Sequence, residues 1–351
     1  MQMSFFTTSY KSTPKLSIIP FVHEDARCEL PDLLERQTLL SRWLSDCFPE
    51  KNIAMVLLAG DASFRRYFRA TIDAQSFVVM DAPPAHEDCT PFIAIANAFS
   101  ASSVRLPHIH AMNLEQGFLL LSDFGDQQFL SLLNSQTADA LYRSAIDTLV
   151  TLQNTVPFPS LPAFDAQLYW REFDIFLTWY VKKNLGKNLS DSQESQLRAH
   201  YQWLIDSAEQ QPQVFVHRDY HSRNLMMCAD NQLGILDFQD AVRGPVTYDL
   251  VSLLRDCYVA WPNEKVTNWV NYFYEKLRHE KTPLSADFDT FLRWFDWMGL
   301  QRHLKCLGIF SRLYFRDNKN GYLKDIPRVL HYALSVCDRY SELSALGAWL
   351  R

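Results

Sequence analysis

No apolar run in this chain of 351 residues reaches the roughly 18 residues of a membrane span. The opening stretch, MQMSFFTTSYKSTPKLSIIPF, lacks the continuous apolar core and small-residue cleavage site of a signal peptide and reads as a loosely held extension. Blocks of basic residues are missing as well. With a formal charge of −6, that argues against a nucleic-acid footprint. Seven cysteines (Cys28, Cys47, Cys89, Cys228, Cys257, Cys306 and Cys337) are odd in number and show no CxxC spacing. Neither a disulfide framework nor a zinc site follows, a reducing cytoplasm is the simpler setting, and each cysteine is expected to be a small buried hydrophobe. Internal repeats and low-complexity segments are absent. An apolar content of 48% over this length supports a large core and about two domains.

The informative stretch is Val214 to Asp249. A short apolar strand (Val214, Phe215, Val216) runs into His217-Arg218-Asp219, a loop ends at Asn224, and a second strand (Leu233 to Leu236) delivers Asp237 and Phe238. Mg²⁺ takes hard oxygen ligands and keeps several waters, so one carboxylate and one amide beside substrate phosphates can hold it. Asp237 and Asn224 have that chemistry. A hydroxyl attacking a phosphoryl group needs a carboxylate to orient it and take its proton, and Asp219 fits that part. Asn224 follows Asp219 by five residues and Asp237 follows Asn224 by thirteen, the order of the kinase catalytic and metal loops. A polar loop with turn-forming Asp and Asn would account for any one of these residues, but not for all three in register with two strands.

Upstream, Pro31 to Phe48 has helical apolar spacing, and three strand-like runs follow at Ala54–Leu58, Phe64–Ala70 and Ser76–Met80. Between the first two lie Gly60, Asp61, Ala62 and Ser63. Such a turn can lay backbone N–H groups over phosphate oxygens, although an ordinary hairpin turn would look the same. A protein kinase carries a lysine on its third strand to grip the phosphates. Here no lysine occurs between Lys51 and Lys182, and that strand ends in Met80-Asp81. Arg65, Arg66 and Arg69 are the candidate substitutes. Alternation places Arg65 and Arg69 on one face and Arg66 on the other, so at least one is expected to be a solvated charge. His86 to Ser100 reads as a helix with Glu87 and Asp88 in its first turn. Gly117 to Leu121 is a short buried strand opening into Ser122-Asp123-Phe124-Gly125, read as the connector between two lobes, where backbone near Asp123 could meet adenine.

In the remainder, Gln127 to Gln153 holds two helical stretches, and Leu168 to Leu185 is an aromatic helix stopped by Gly186. Glu172 on that helix either binds substrate hydroxyls or pairs with Arg171 at the surface. Asp249 is expected to brace the catalytic loop from a helix start, with His217 as a further structural support. On a helix from Trp294 to Phe315, Leu300, Leu304 and Leu307 form one side, while Arg302, Lys305, Arg312 and Arg316 cluster on the other. That stripe is either a solvated face or an attractor for an anionic substrate.

The segments His217-x-Asp219-x-His221-x-x-Asn224-Leu225 and Leu236-Asp237-Phe238 resemble the catalytic and metal loops of the aminoglycoside/choline phosphotransferase family. Asp61–Arg69 (DASFRRYFR), Val78–Pro84 (VVMDAPP), Leu236–Tyr258 and Gly299–Lys305 (GLQRHLK) are similar to one subgroup, the anomeric N-acetylmuramate/N-acetylglucosamine kinases of bacterial cell-wall recycling. The resemblance implies an α+β, two-lobed protein-kinase-like fold, with residues 1–30 an extension, 31–122 a nucleotide-binding lobe and 123–351 a catalytic, substrate-binding lobe. It further implies ATP and Mg²⁺ as cofactors and phosphorylation of an amino sugar at its C1 hydroxyl. Asp219 would be catalytic, Asn224 and Asp237 metal-binding, Gly60, Asp61, Ala62, Ser63, Arg65 and Asp123 nucleotide-binding, and Glu172, Arg302 and Lys305 substrate-binding. No nucleic-acid or membrane partner is expected, and a monomer is expected with a dimer left open. A kinase of another small alcohol and a nucleotide-binding module without turnover are the alternatives.

Overall fold

The computed structural model describes residues 26–60, 64–100, 102–155, 161–279 and 284–351. The chain packs as two compact units, residues 1–53 and 54–351. The described part of the first, residues 26–53, is mainly helix α1 (Ala26–Cys47), which buries Leu40, Trp43 and Leu44, three residues of the predicted apolar spacing.

The second unit opens with a five-stranded sheet in the order β1-β2-β3-β5-β4, built from β1 (Ile53–Gly60), β2 (Arg66–Ile72), β3 (Gln75–Asp81), β4 (Ile109–Asn113) and β5 (Phe118–Ser122). The β2–β3, β3–β5 and β4–β5 pairs are antiparallel. β3 and β5 bury Val79, Met80 and Leu119 to Leu121, so the centre of the sheet is apolar on both faces. Helix α2 (Thr90–Phe99) begins later than His86, because Pro91 occupies its first turn, where a missing N–H costs nothing. Glu87 and Asp88 therefore precede the helix.

Next come α3 (Phe129–Leu132), α4 (Ala138–Thr155) and α5 (Ala166–Ile175). The predicted aromatic helix is two pieces: α5 passes at Phe176 into a π-helix (Phe176–Asn184). Beyond α6 (Asp191–Glu209), β6 (Gln213–Val216) pairs with β9 (Val242–Pro245), and β7 (Leu225–Met227) pairs with β8 (Leu233–Ile235). The remaining helices are α7 (Tyr248–Leu254), α8 (Asn263–Arg278), α9 (Phe288–Phe315), α10 (Ile326–Arg339) and α11 (Ser344–Leu350).

α9 is the axis of this helical part. Its N-cap Asp287 accepts the Thr290 N–H, and it packs against the π-helix, α6, α7 and α10 at once. Covered on all sides, it buries Arg302 and Lys305 along with Leu300, Leu304 and Leu307, so the basic stripe is no solvated face; only its end, Arg316, is exposed. Gly308 lets α9 approach the turn where α5 becomes the π-helix, since a Cβ there would lie 2.7 Å from the Phe176 backbone. Cys47 departs from the expected burial and is exposed, whereas Cys89, Cys228, Cys257, Cys306 and Cys337 are buried as free thiols. Among the described residues no helix is long and apolar enough to cross a membrane.

Candidate active site

β6 ends at Val216, and the chain then makes a tight turn in which Arg218 takes a φ of +74°. Asp249, at the start of α7, fixes that turn. The His217 N–H donates to its Oδ2 at 2.6 Å and the Arg218 N–H to its Oδ1 at 3.0 Å. Burial pushes the Asp249 carboxyl up to about 7, against the two backbone donors that pull it down. His217 is buried too, and burial holds its imidazole down near 4, so the ring is neutral at pH 7. Its Nε2 lies 3.0 Å from the Leu236 carbonyl and its Nδ1 accepts the Asp219 N–H at 3.2 Å. That pattern needs the Nε2–H tautomer. One ring thereby ties the Asp219 loop to the strand end that carries Asp237.

A second tie runs through Asn224, whose carbonyl accepts the Leu236 N–H at 2.9 Å. Its side-chain Nδ2 stands 3.0 Å from the Asp219 carbonyl and 3.4 Å from Asp237 Oδ2. Asp237 itself sits at φ +63°, a conformation that costs a non-glycine residue about 1–3 kcal/mol and recurs where surrounding structure holds a functional side chain in place. Gln239 Nε2 donates to its other oxygen at 2.7 Å. One carboxylate and one amide thus meet at hydrogen-bond distance, the amide donating. Among the described residues no group of three His, Cys, Asp or Glu could hold a metal. This donor set suits Mg²⁺, which takes few protein ligands and fills its octahedron with phosphate and water.

Asp219 is half-buried. Burial raises its pKa, but Lys305, His221, Arg302 and Arg218 together outweigh that and hold the carboxyl well below the usual range. Two of these groups, Arg302 and Lys305, come from the stripe on α9. Lys305 donates to the Tyr248 hydroxyl at 3.0 Å and pairs with Glu172 at 3.4 Å, while Arg218 pairs with the same Glu172 oxygen at 2.8 Å. Gln301 Nε2 completes the arrangement, 2.9 Å from the other Glu172 oxygen and 2.9 Å from the Tyr201 hydroxyl. Glu172 is therefore not a surface partner of Arg171 but a buried counter-charge for two cations. Arg302 is buried with its Nη1 3.8 Å from Cys257 Sγ and its Nε without a hydrogen-bond partner.

Asn224, Asp237, His221 and Arg223 line a cleft of about 710 Å³, which Leu58, Tyr67, Val78 and Phe92 share with Ser122 to Asp126 of the connector and with Tyr258. A larger cavity, about 1040 Å³ between α2, β4 and α4, contains none of the predicted site residues. Of the predicted nucleotide contacts, Asp61, Ala62 and Ser63 lie outside the described residues, and Gly60 is the last residue of β1. Arg65 pairs with Glu87 at 2.9 Å, Arg66 with the fully buried Asp81, and Arg69 with Asp123 at 2.6 Å and Asp126 at 2.7 Å. The expected solvated arginine does not exist: each has a carboxylate. Ser76 Oγ also donates to Asp123, which cross-links the connector to the sheet.

Three supports escape a reading of the sequence. Asp256 accepts the Ser222 N–H and hydroxyl on Oδ2 and the Tyr258 N–H on Oδ1, anchoring the middle of the catalytic loop. Tyr220 donates its hydroxyl to the Ala145 carbonyl at 2.8 Å. Phe238 packs on Phe92 of α2, ring centroids 4.5 Å apart. Only the Leu236-Asp237-Phe238 pattern gave any signal for the last.

A model of the phosphotransferase enzyme family matches residues 55–284. An N-acetylmuramate/N-acetylglucosamine kinase of Pseudomonas putida is 46% identical over 294 residues, 84% of this chain and 86% of that protein. Among solved structures, a choline kinase from Streptococcus pneumoniae superimposes with a TM-score of 0.62 at 10% identity, covering 86% of this chain and 99% of the other. An ADP-bound aminoglycoside phosphotransferase gives 0.56 at 14% identity, covering 83% and 96%. At such identities the likeness is one of fold, and it bears out the two-lobed, kinase-like α+β architecture. The family model spans well over half the chain and the bacterial relative most of it, so this chain belongs to the phosphotransferase enzyme family.

Proposed function

We propose that the chain transfers the γ-phosphoryl group of ATP, with Mg²⁺, to the C1 hydroxyl of N-acetylmuramate or N-acetylglucosamine, giving the sugar 1-phosphate. One observation supports the reading: Asn224 and Asp237 line a single cleft, and bonds from Asn224 and His217 tie their loops to the backbone of Asp219. The likeness to a kinase named for these two sugars supports the choice of acceptor. Residues 31–122 serve in this reading as the nucleotide lobe and residues 123–351 as the catalytic lobe. The reaction belongs to the cytoplasm, where ATP is made, and to cell-wall recycling.

Asp219 orients the sugar hydroxyl toward the γ-phosphorus. The sugar oxygen forms the new O–P bond as the bond to the β-phosphate oxygen breaks, ADP leaves, and the hydroxyl proton passes to the Asp219 carboxylate. A carboxyl held far below its usual pKa is always ionised at pH 7 and is a weak base, which suits a loose transition state where proton transfer comes late. Asn224 and Asp237 would hold Mg²⁺, which supplies positive charge to the β- and γ-phosphate oxygens. The cations around Asp219 repel the ammonium groups of aminoglycosides and choline-like alcohols, and buried Arg302 offers a counter-charge to the lactyl carboxylate of N-acetylmuramate.

ATP consumption measured over amino sugars, aminoglycosides and amino alcohols tests the reading. The two N-acetylated sugars should stimulate turnover, and their 1-O-methyl glycosides should not. Turnover with an amino alcohol or aminoglycoside alone, or with the methyl glycosides, would overturn it.

A further inference from the structure

We propose that Arg223, the residue before Asn224 in the catalytic loop, grips the terminal phosphate of the nucleotide in place of the strand lysine that this chain lacks. The inference rests on the reading that a nucleoside triphosphate enters the cleft lined by Arg223, Asn224 and Asp237.

The sheet has no cation to spare. At the end of β3, where a lysine would stand, Asp81 is fully buried and held by Arg66, its register partner on β2. Arg65 is matched by Glu87, and Arg69 by two carboxylates, Asp123 and Asp126. Drawing any of these arginines onto a phosphate would leave an unmatched carboxylate behind, so the local positive charge would not increase. A triphosphate brings several negative charges into a cleft that already holds Asp237, and that charge must be met from elsewhere.

Arg223 meets the requirement. It lines the same cleft, and among the described residues no carboxylate lies within ion-pair distance of its side chain. Its guanidinium stacks on the Tyr258 ring, 3.6 Å from the centroid. Stacking uses the flat face of the group and leaves its in-plane N–H donors directed outward, the geometry that takes two phosphate oxygens at once. The platform is braced independently. Asp256 accepts the Tyr258 N–H at 2.9 Å and, through its other oxygen, the Ser222 N–H at 2.9 Å, so ring and loop hang from one carboxylate. His221 meets the same ring edge-on at 5.3 Å. A long side chain is thus held in one place before any ligand arrives, which lowers the entropy lost on binding.

The shared chemistry is an oxyanion, and the acceptor's own carboxylate is the other source of one. Full-length Arg223→Met and Arg223→Lys separate the two sources. Affinity for a non-hydrolysable ATP analogue and for ADP, each with Mg²⁺, is measured by calorimetry without acceptor. Turnover is then measured with uncharged N-acetylglucosamine and anionic N-acetylmuramate. Arg223→Met should weaken the analogue about tenfold or more relative to ADP. It should also lower kcat by about 10²–10³ with both sugars alike, as the loss of one charge-stabilising donor does. Arg223→Lys should recover part of both losses. Equal weakening of analogue and ADP, unchanged binding, or a loss confined to N-acetylmuramate would each overturn the proposal. Should the wild-type chain bind the analogue yet phosphorylate neither sugar, the acceptor assignment falls while the binding comparison still decides Arg223.

Discussion

Replacing Glu172 by glutamine preserves the shape of the side chain and removes one charge from beneath the catalytic loop. The Glu172 side chain is 3% exposed, Lys305 is 7% exposed and Arg218 is 20% exposed. Breaking a buried pair by neutralising one partner costs about 3–5 kcal/mol, because the other charge stays desolvated without compensation. Arg218 retains some water and the amide oxygen can still accept a bond, so the lower end, about 3 kcal/mol, applies here. For a unit spanning residues 54–351, with an unfolding entropy of about 2.1 cal/mol/K per residue, that lowers the melting midpoint by about 5 °C. The pH dependence carries the sharper test. In the native protein burial pulls the Lys305 pKa down, but Glu172, first among its partners, and the Tyr248 hydroxyl raise it above its ordinary value. Without Glu172 burial wins, and the folded-state pKa drops below the unfolded value. The folded variant then binds fewer protons than the unfolded chain, so its stability rises with pH. Urea unfolding of both proteins between about pH 7 and 9.5 should show the deficit narrowing as lysine deprotonates. A deficit below about 1 kcal/mol, or one that widens with pH, would refute the reasoning.

Asp219→Asn should lower kcat by about 10²–10⁴ while nucleotide affinity holds, and lost nucleotide binding would contradict the assigned role. Wild-type kcat/KM should show no acidic limb from Asp219 in the ordinary carboxylate range, since its depressed pKa keeps the base ionised. Lys305→Met removes the first of the charges that depress it, so the limb should move upward, with activity lost as pH falls through the new value; an unmoved pH profile would count against that coupling. Gly308→Ala forces a Cβ to within 2.7 Å of the Phe176 backbone and should destabilise the protein by about 1–3 kcal/mol in chemical denaturation. An unchanged midpoint would mean that α9 is free to shift.

Much of the candidate site is legible in the chain because its parts lie close together. Asp219, Asn224 and Asp237 sit at fixed offsets around two short strands, and the brace from Asp249 follows from an acid at a helix start beside the loop. Periodicity also locates β1, β2, β3 and β5, because alternation is a local property of the backbone. It misplaces the start of α2 by overlooking Pro91, and it gives no warning of the α-to-π change at Phe176, which coincides with the close approach of α9. The strand β9 is equally hidden, since Val242-Arg243-Gly244-Pro245 has little strand character of its own and is held by pairing with β6.

The sequence by itself determined the candidate site residues, their order and the absence of a strand lysine, since each of these is a matter of residue type and spacing. The tertiary structure alone decided which charges are matched. Arg69 finds Asp123 across 54 residues and Glu172 finds Gln301 across 129, separations at which no local pattern survives. A helical wheel separates apolar from basic positions on α9, but it cannot reveal that neighbours cover the helix all round. Burial of that kind turned a stripe that the sequence left as either a solvated face or a substrate attractor into cations that help hold the Asp219 carboxyl ionised, because charges act more strongly where less water screens them.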